Sequence, residues 1–308
     1  MSVPYAKVIV NPAAGGYLIH REWPRISRQL QDIGLSFDYE YTEGVGHAIE
    51  LAKAAADNGY RYLIAVGGDG TVSEVANGIL CSTASGSIIL GIVSAGTACS
   101  FARSVGIPQD YSSACSLLTG QRRLLIDVGV VEYKSKGQSL QRFFVNEAGV
   151  GFDAAVVEAS KCLPKRFGPT INYYARVVRG LRSLFSYRNK RVVLCVENKV
   201  EAICTCTAVV VANGGYSGGG MHIAPHAELN DGLLDMVIVD DAGKFELLKI
   251  WPTLYGGSHI THPKIRVKKV ASVAIQSSER VLVEADGELL GECPASFWLL
   301  PSALTIAV

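Results

Sequence analysis

The chain has 308 residues, 49% of them apolar, with 32 glycines and a formal net charge of +1 at neutral pH. That length accommodates two domains with a sizeable core in each, and the composition excludes a disordered, collagen-like or fibrous chain. So balanced a charge gives no global case for nucleic acid, and no nucleic-acid partner is expected. The 8 cysteines are scattered without a Cys-x-x-Cys pair, so no zinc spacing is present and a reducing, cytoplasmic compartment is expected. No leader pattern precedes the first strand, and no apolar run approaches the ~20 residues of a membrane-spanning helix. The expectation is a soluble protein that at most rests on the inner face of a membrane.

From the start, strand and helix patterns alternate. Ala6 to Val10 reads as a strand ending in the polar turn Asn11-Pro-Ala-Ala-Gly-Gly16. Trp23, Ile26, Leu30 and Ile33 then share one side of a helix over 22–33. Leu35 to Tyr41 is strand-like and ends at Thr42, and His47 to Ala56 is an Ala-rich helix. A buried strand over 61–66 runs into Gly67-Gly68-Asp69-Gly70-Thr71, and a helix follows to Leu80. A strand over 87–93 and a helix after Gly96-Thr97 complete the series. Repeated β-α units imply a parallel sheet flanked by helices, which binds ligands beyond the C-terminal ends of its strands. Asn11, Thr42, Gly67 to Thr71 and Thr97 all fall at such ends.

Gly67 to Thr71 carries the most chemistry. So little side chain at a strand-to-helix turn lets backbone N–H groups approach an anion at the helix N-terminus. Asp69 would repel a phosphate, so its work is to hold a cation or a hydroxyl beside one. The alternative is a plain tight turn. No Gly-x-x-x-x-Gly-Lys-Ser/Thr occurs, which excludes a P-loop, and the glycine spacing excludes a dinucleotide fingerprint.

Near Arg122 the character changes to strands, expected at 124–132, 142–148, 191–197, 202–212, 233–239, 264–269, 271–276, 280–285 and 303–307. Helices are expected at 153–161, 170–186 and 244–255. Alternating and β-branched patterns predict an antiparallel sandwich or barrel. No Pro/Ser-rich linker separates the halves, so two domains packed around a cleft are expected. Within this half, Asn146 to Asp153 places glycines after a strand, with Asp153 as a helix N-cap. Asn213 to Gly220 is a glycine loop that either faces solvent or approaches a substrate. Glu228 to Asp235 is an Asn/Asp-Gly turn that could instead hold a hard cation. Glu284, Asp286 and Glu288 put three acids in one strand-turn position, where proximity can make one of them a proton acceptor. Lys161 to Arg191 contains nine Lys or Arg and no acid. It reads either as a solvated helix face or as an interfacial helix attracted to anionic lipid.

Taken together, these motifs resemble the diacylglycerol kinase catalytic-domain family, in particular the bacterial lipid kinases related to diacylglycerol and sphingosine kinases. The residues that carry the resemblance are Asn11 to Gly15, Gly67 to Thr71, Gly96-Thr97 with Phe101-Ala-Arg103, Asn146 to Asp153, Asn213 to Gly220, Asn230 to Asp235, and Asp286-Gly-Glu288. The resemblance implies an NAD-kinase-like α/β nucleotide domain over 1–124 and a β-rich, sandwich-like lipid domain over 125–295. The final 296–308 would return to the first domain. It implies ATP and Mg²⁺ as cofactors and a lipid hydroxyl as acceptor. Asn11, Thr42, Gly67, Gly68, Asp69, Gly70, Thr71, Val72, Ser73 and Thr97 would line the triphosphate. Asp69, Asp286 and Glu288 would be catalytic, the last two carrying the general base. Asp231, with the carbonyls of Glu228 and Leu233, matches a structural Mg²⁺ turn. Cys99-Ser100 and Ser94 stand where the family usually has Asn-Asp and Pro. The alternatives are therefore a soluble-substrate kinase like NAD kinase, or a non-catalytic nucleotide- or lipid-binding protein. No motif reports oligomeric state, and a homodimer stays open beside a monomer.

Overall fold

The structure, a computed structural model, describes residues 5–94, 99–160 and 182–308. Thr97 and most of the basic segment 161–191 lie outside the described residues. Two compact units are present, one of residues 5–127 with 301–308 and the other of 128–160 with 182–300. Among the described residues no helix is long and apolar enough to cross a membrane.

The first unit is a parallel sheet of β1 (Ala6–Val10), β2 (Phe37–Tyr41), β3 (Tyr62–Gly67), β4 (Ile89–Ser94) and the end of the last strand, β14 (Glu288–Ala307). The order is β2-β1-β3-β4-β14, and every neighbouring pair is parallel. β1 and β3 lie in the middle, and their near-continuous apolar runs are what a strand covered on both faces requires. The α1 helix (Ala14–Asp32) buries Ile19, Trp23, Ile26 and Leu30 along one stripe against them. Its first residues Gly15, Gly16 and Tyr17 are left-handed (φ 62°, 69° and 67°), so the predicted turn is real. The regular helix follows directly, earlier than the Glu22 start expected.

α2 (His47–Asp57) and α3 (Asp69–Leu80) pack backbone to backbone. A Cβ on Gly78 would lie 2.4 Å from the Ile49 carbonyl and 2.6 Å from Ala52 Cβ. This close approach accounts for the alanines of α2. Its N-terminus has no cap of its own, and Glu74 of α3 supplies one by accepting from Gly46 N–H (2.9 Å) and Ala48 N–H (3.1 Å). α4 (Ser100–Ser104) follows β4. The periodicity reading did not include α5 (Tyr111–Leu118), although Asp110 caps it by accepting from Ser113 N–H at 2.8 Å.

The second unit contains β5 (Arg123–Ser135) from Val128 onward, β6 (Gln138–Phe144), β7 (Glu147–Gly151), α6 (Phe152–Ser160), β8 (Lys190–Val196) and β9 (Lys199–Ala212). β10 (Leu234–Asp240), α7 (Lys244–Ile250), β11 (Ile265–Val270), β12 (Ser272–Gln276), β13 (Leu282–Ala285) and most of β14 complete it. Strand pairing closes on itself: β9 to β7 to β13 to β14 to β12 to β8 and back to β9. The two longest strands make closure feasible because each changes partner along its length. β9 pairs with β8 through Cys206 and with β7 from Ala208, while β14 pairs with β13 through Glu292 and with β12 from Ala295. Inward side chains from all these strands form one core around Phe144, Val209, Met236, Ile275 and Phe297. The fold class is the expected one, an NAD-kinase-like α/β unit with a β-rich sandwich-like unit.

Three further elements differ from expectation. β14, expected as a strand only over 303–307, begins at Glu288. The strand read at 142–148 is two strands, because the amides of Val145 and Asn146 turn away from the ladder to a carboxylate described below. The helix expected over 244–255 ends at Ile250 and continues as a single 3₁₀ turn, Trp251–Leu254, where Pro252 has no N–H to donate to the carbonyl four residues back.

Candidate active site

In the first unit, the chain passes from β1 to β2 on one side and then returns to β3 on the other. The carboxyl ends of β1 and β3 therefore flank a topological switch point, where open α/β sheets bind ligands. Asn11 and Gly67 occupy those two ends. Asn11 Nδ2 donates to Thr71 Oγ1 at 2.9 Å, and a Cβ on Gly67 would lie 2.4 Å from the same oxygen. Gly68 is extended at the N-cap of α3 (φ −94°, ψ −175°), so the first turn of α3 begins at the sheet edge with amides that lack intrahelical acceptors. Asp69 is the first residue of that turn, and its Oδ1 accepts from Phe101 N–H at 3.0 Å, tying α3 to α4. A Cβ on Gly70 would meet no atom of the described residues within 4 Å. Thr42 N–H donates to the Val10 carbonyl at 2.8 Å, which places Thr42 beside the end of β1. Thr71, Val72 and Ser73 are buried. The Thr71 and Val72 amides donate to the Gly68 carbonyl (2.9 and 3.1 Å).

In the second unit, three motifs that are far apart in sequence converge on residues 145–147. Asp286-Gly287 is the two-residue turn between β13 and β14, with φ of 46° and 79°, the paired positive values of a type I′ hairpin. The turn carries the Asp286 carboxylate to the break between β6 and β7. There it accepts from Val145 N–H (3.0 Å), Asn146 N–H (3.0 Å) and Glu147 N–H (3.1 Å). The glycine loop after β9 reaches the same place. The amides of Asn213 and Gly214 donate to the Asn146 carbonyl (2.9 and 2.7 Å), Asn213 Nδ2 donates to the Val145 carbonyl (2.9 Å), and Ser217 Oγ donates to Glu147. Two residues past Asp286, Glu288 Oε2 pairs with Arg142 of β6 at 2.8 Å. Nothing in the alternating pattern of 138–144 singled out Arg142, because its partner is 146 residues away.

Behind this network lie two buried carboxyls. Asp153 sits inside the first turn of α6 and does not cap it; among the described residues neither carboxyl oxygen has a hydrogen-bond partner. It lies directly over Gly149, where a Cβ would fall 1.7 Å from Oδ2 and 3.3 Å from Glu284 Oε1. Burial pushes Asp153 up to about 7. Glu284 is also raised, first by burial and then by the charges of Glu147 and Asp153. An acid in the first turn of a helix ordinarily gains from ionisation. Desolvation outweighs that gain here.

The turn expected to hold a structural cation is present, with Gly232 at φ 75°. Asp231 Oδ1 accepts from Leu233 N–H at 3.0 Å, and Asp231 Oδ2 accepts from Lys269 Nζ at 2.5 Å. Leu233 could add only its carbonyl and Glu228 its carbonyl beside a carboxylate that lies 3.9 Å from the Lys269 ammonium, and among the described residues no group of three or more His, Cys, Asp or Glu could hold a metal. The donor set at this turn does not fit a divalent ion.

Residues 5–131 match the diacylglycerol kinase catalytic domain, and residues 146–308 match the YegS C-terminal NAD kinase beta sandwich-like domain. A diacylglycerol kinase of Staphylococcus saprophyticus is 28% identical over 295 residues, covering 95% of this chain and 91% of that one. A diacylglycerol kinase of Bacillus subtilis is 29% identical over 295 residues, covering 95% and 92%. Among solved structures, a diacylglycerol kinase from Bacillus anthracis superimposes with a TM-score of 0.73 at 23% identity, over 100% of this chain and 97% of that one. An NAD kinase from Archaeoglobus fulgidus in complex with ATP superimposes with a TM-score of 0.52 at 12% identity, over 99% and 93%. At these identities the two structural likenesses show the fold.

Proposed function

Because this chain belongs to the diacylglycerol kinase catalytic-domain family and is a kinase, we propose that it transfers the γ-phosphoryl group of ATP to a hydroxyl of a lipid such as diacylglycerol. The triphosphate would lie on the first turn of α3, where amide N–H groups and the helix dipole favour an anion. The divalent cation that accompanies ATP in phosphoryl transfer would neutralise its charge, with Asp69 as the carboxylate of that turn. Catalysis would then be mostly positioning and charge neutralisation, with one carboxylate accepting the proton of the acceptor hydroxyl.

The observation that carries this reading is the different setting of the two carboxylates on the β13–β14 turn. Asp286 has both oxygens engaged by backbone amides, three in all, so it serves to hold the loop 145–147 in place. Glu288 is tied through Oε2 to the Arg142 side chain. Glu288 is the proton acceptor on this reading, and Asp286 is the residue that positions the loop beside it.

The acceptor is tested by supplying labelled ATP and Mg²⁺ with diacylglycerol in mixed micelles, and in parallel with NAD. The expected product is a labelled phospholipid extracted into the organic phase. Phosphorylation of NAD with none of diacylglycerol would replace this reading with a soluble-substrate kinase.

A further inference from the structure

We propose that Lys269 supplies, from within the chain, the positive charge that binds the Asn230-Asp231-Gly232 turn together, so that this turn folds without a divalent metal. The turn precedes β10, and Lys269 stands on the adjacent strand β11, in register with Asp235. From there its ammonium lies 2.5 Å from Asp231 Oδ2 and 3.9 Å from Glu228 Oε1. The nearby cations of β11 are committed elsewhere: Lys268 pairs with Glu201 and Arg266 with Asp240. Lys269 is therefore the β11 cation that meets this turn.

The chemistry is exclusive. A magnesium ion binds oxygen at about 2.0–2.1 Å in near-octahedral geometry and gives up its water reluctantly. Asp231 Oδ2, the oxygen such an ion would need, is already occupied by an ammonium, and Oδ1 is held by the Leu233 amide. A dication would have to expel Lys269 and leave the ammonium beside it. The charge need is nonetheless real, because the Asp235 carboxyl is buried, its Oδ2 without a partner among the described residues, and the carboxylates of Asp231 and Glu228 stand close by. Lys269 answers the three acids at once, and the hydrogen bond it donates to Asp231 holds its amine further toward the charged form.

The test is thermal unfolding of nucleotide-free protein in EDTA and in millimolar Mg²⁺. Wild type is expected to melt at the same temperature in both. Lys269→Met, which keeps the aliphatic stem, is expected to lose several degrees in EDTA and to recover part of the loss with Mg²⁺. Lys269→Arg should match wild type and ignore the metal. Two results would overturn the proposal: a wild-type melting temperature that rises with Mg²⁺ only while Asp231 is present (Asp231→Asn abolishing the rise), or a Lys269→Met variant as stable as wild type in EDTA. Should Lys269→Met not accumulate folded, calorimetric titration of Mg²⁺ into wild type and Asp231→Asn decides the matter. Identical heats uphold the internal ammonium, and heats lost with Asp231→Asn refute it.

Discussion

A Cβ added at Gly70 would meet no atom of the described residues within 4 Å, whereas one added at Gly67 would lie 2.4 Å from Thr71 Oγ1 and 2.7 Å from its Cβ. The two glycines therefore answer to different demands. Gly67 makes room for the Asn11–Thr71 hydrogen bond that joins the ends of β1 and β3. Gly70 leaves the first turn of α3 open to a ligand. Replacing Gly70 by Ala should leave thermal stability unchanged or raise it by up to ~1 kcal/mol, since alanine is the better helix former. The same change should weaken ATP binding about tenfold or more, because a methyl group stands where a phosphate oxygen must approach the backbone. Replacing Gly67 by Ala should instead destabilise the fold by roughly 1–3 kcal/mol through overpacking. Unfolding curves and ATP titrations of both variants separate the two effects, and Gly70→Ala binding ATP as tightly as wild type would remove the phosphate from that turn.

At the scale of the element, α6 begins on a carboxyl that the surroundings prefer neutral. The ordinary value of Asp153 is 3.8 and the folded value is about 7, so between them the folded chain holds a proton that the unfolded chain has released. Stability from this group is therefore fully present at the acidic end and is lost as pH rises through about 7. Glu284 on β13 is displaced in the same direction and adds to the slope. Denaturant unfolding from pH 5 to 8 should show stability falling with pH, by no more than about 1.4 kcal/mol per pH unit for each such group. Asp153→Asn should remove its share of that slope, and a variant whose slope equals that of wild type would show that Asp153 is ionised in the fold. Sequence periodicity found most strands and helices here because each has a clear period and a turn residue at its end. It joined β6 to β7 because an amide that donates to Asp286 leaves no mark on the local pattern. It placed Asp153 as a cap because capping was the commoner fate of an acid at a helix start, and the burial that prevents it comes from β7, where Gly149 lies directly beneath it.

At the scale of the molecule, the glycine-rich turns at the strand ends were legible in the sequence, while the strand order that gathers two of them at a switch point was not. Order β2-β1-β3-β4 is decided by which apolar faces cover one another, and local sequence carries no record of that. The same holds for the closed pairing of the second unit, where β9 and β14 each serve two partners. The acids of the β13–β14 turn were visible as a group, but their separate settings were not. Three amides from residues 145–147 engage Asp286, and a guanidinium from residue 142 engages Glu288. This difference gives the account its sharpest consequence. The decisive measurement is turnover of diacylglycerol with labelled ATP by wild type, Glu288→Gln and Asp286→Asn, alongside ATP affinity and melting temperature. Glu288→Gln should lose about 10²–10⁴-fold in kcat with ATP affinity and melting temperature close to wild type, whereas Asp286→Asn should lose stability together with activity. Undiminished turnover by Glu288→Gln in folded protein would contradict the account.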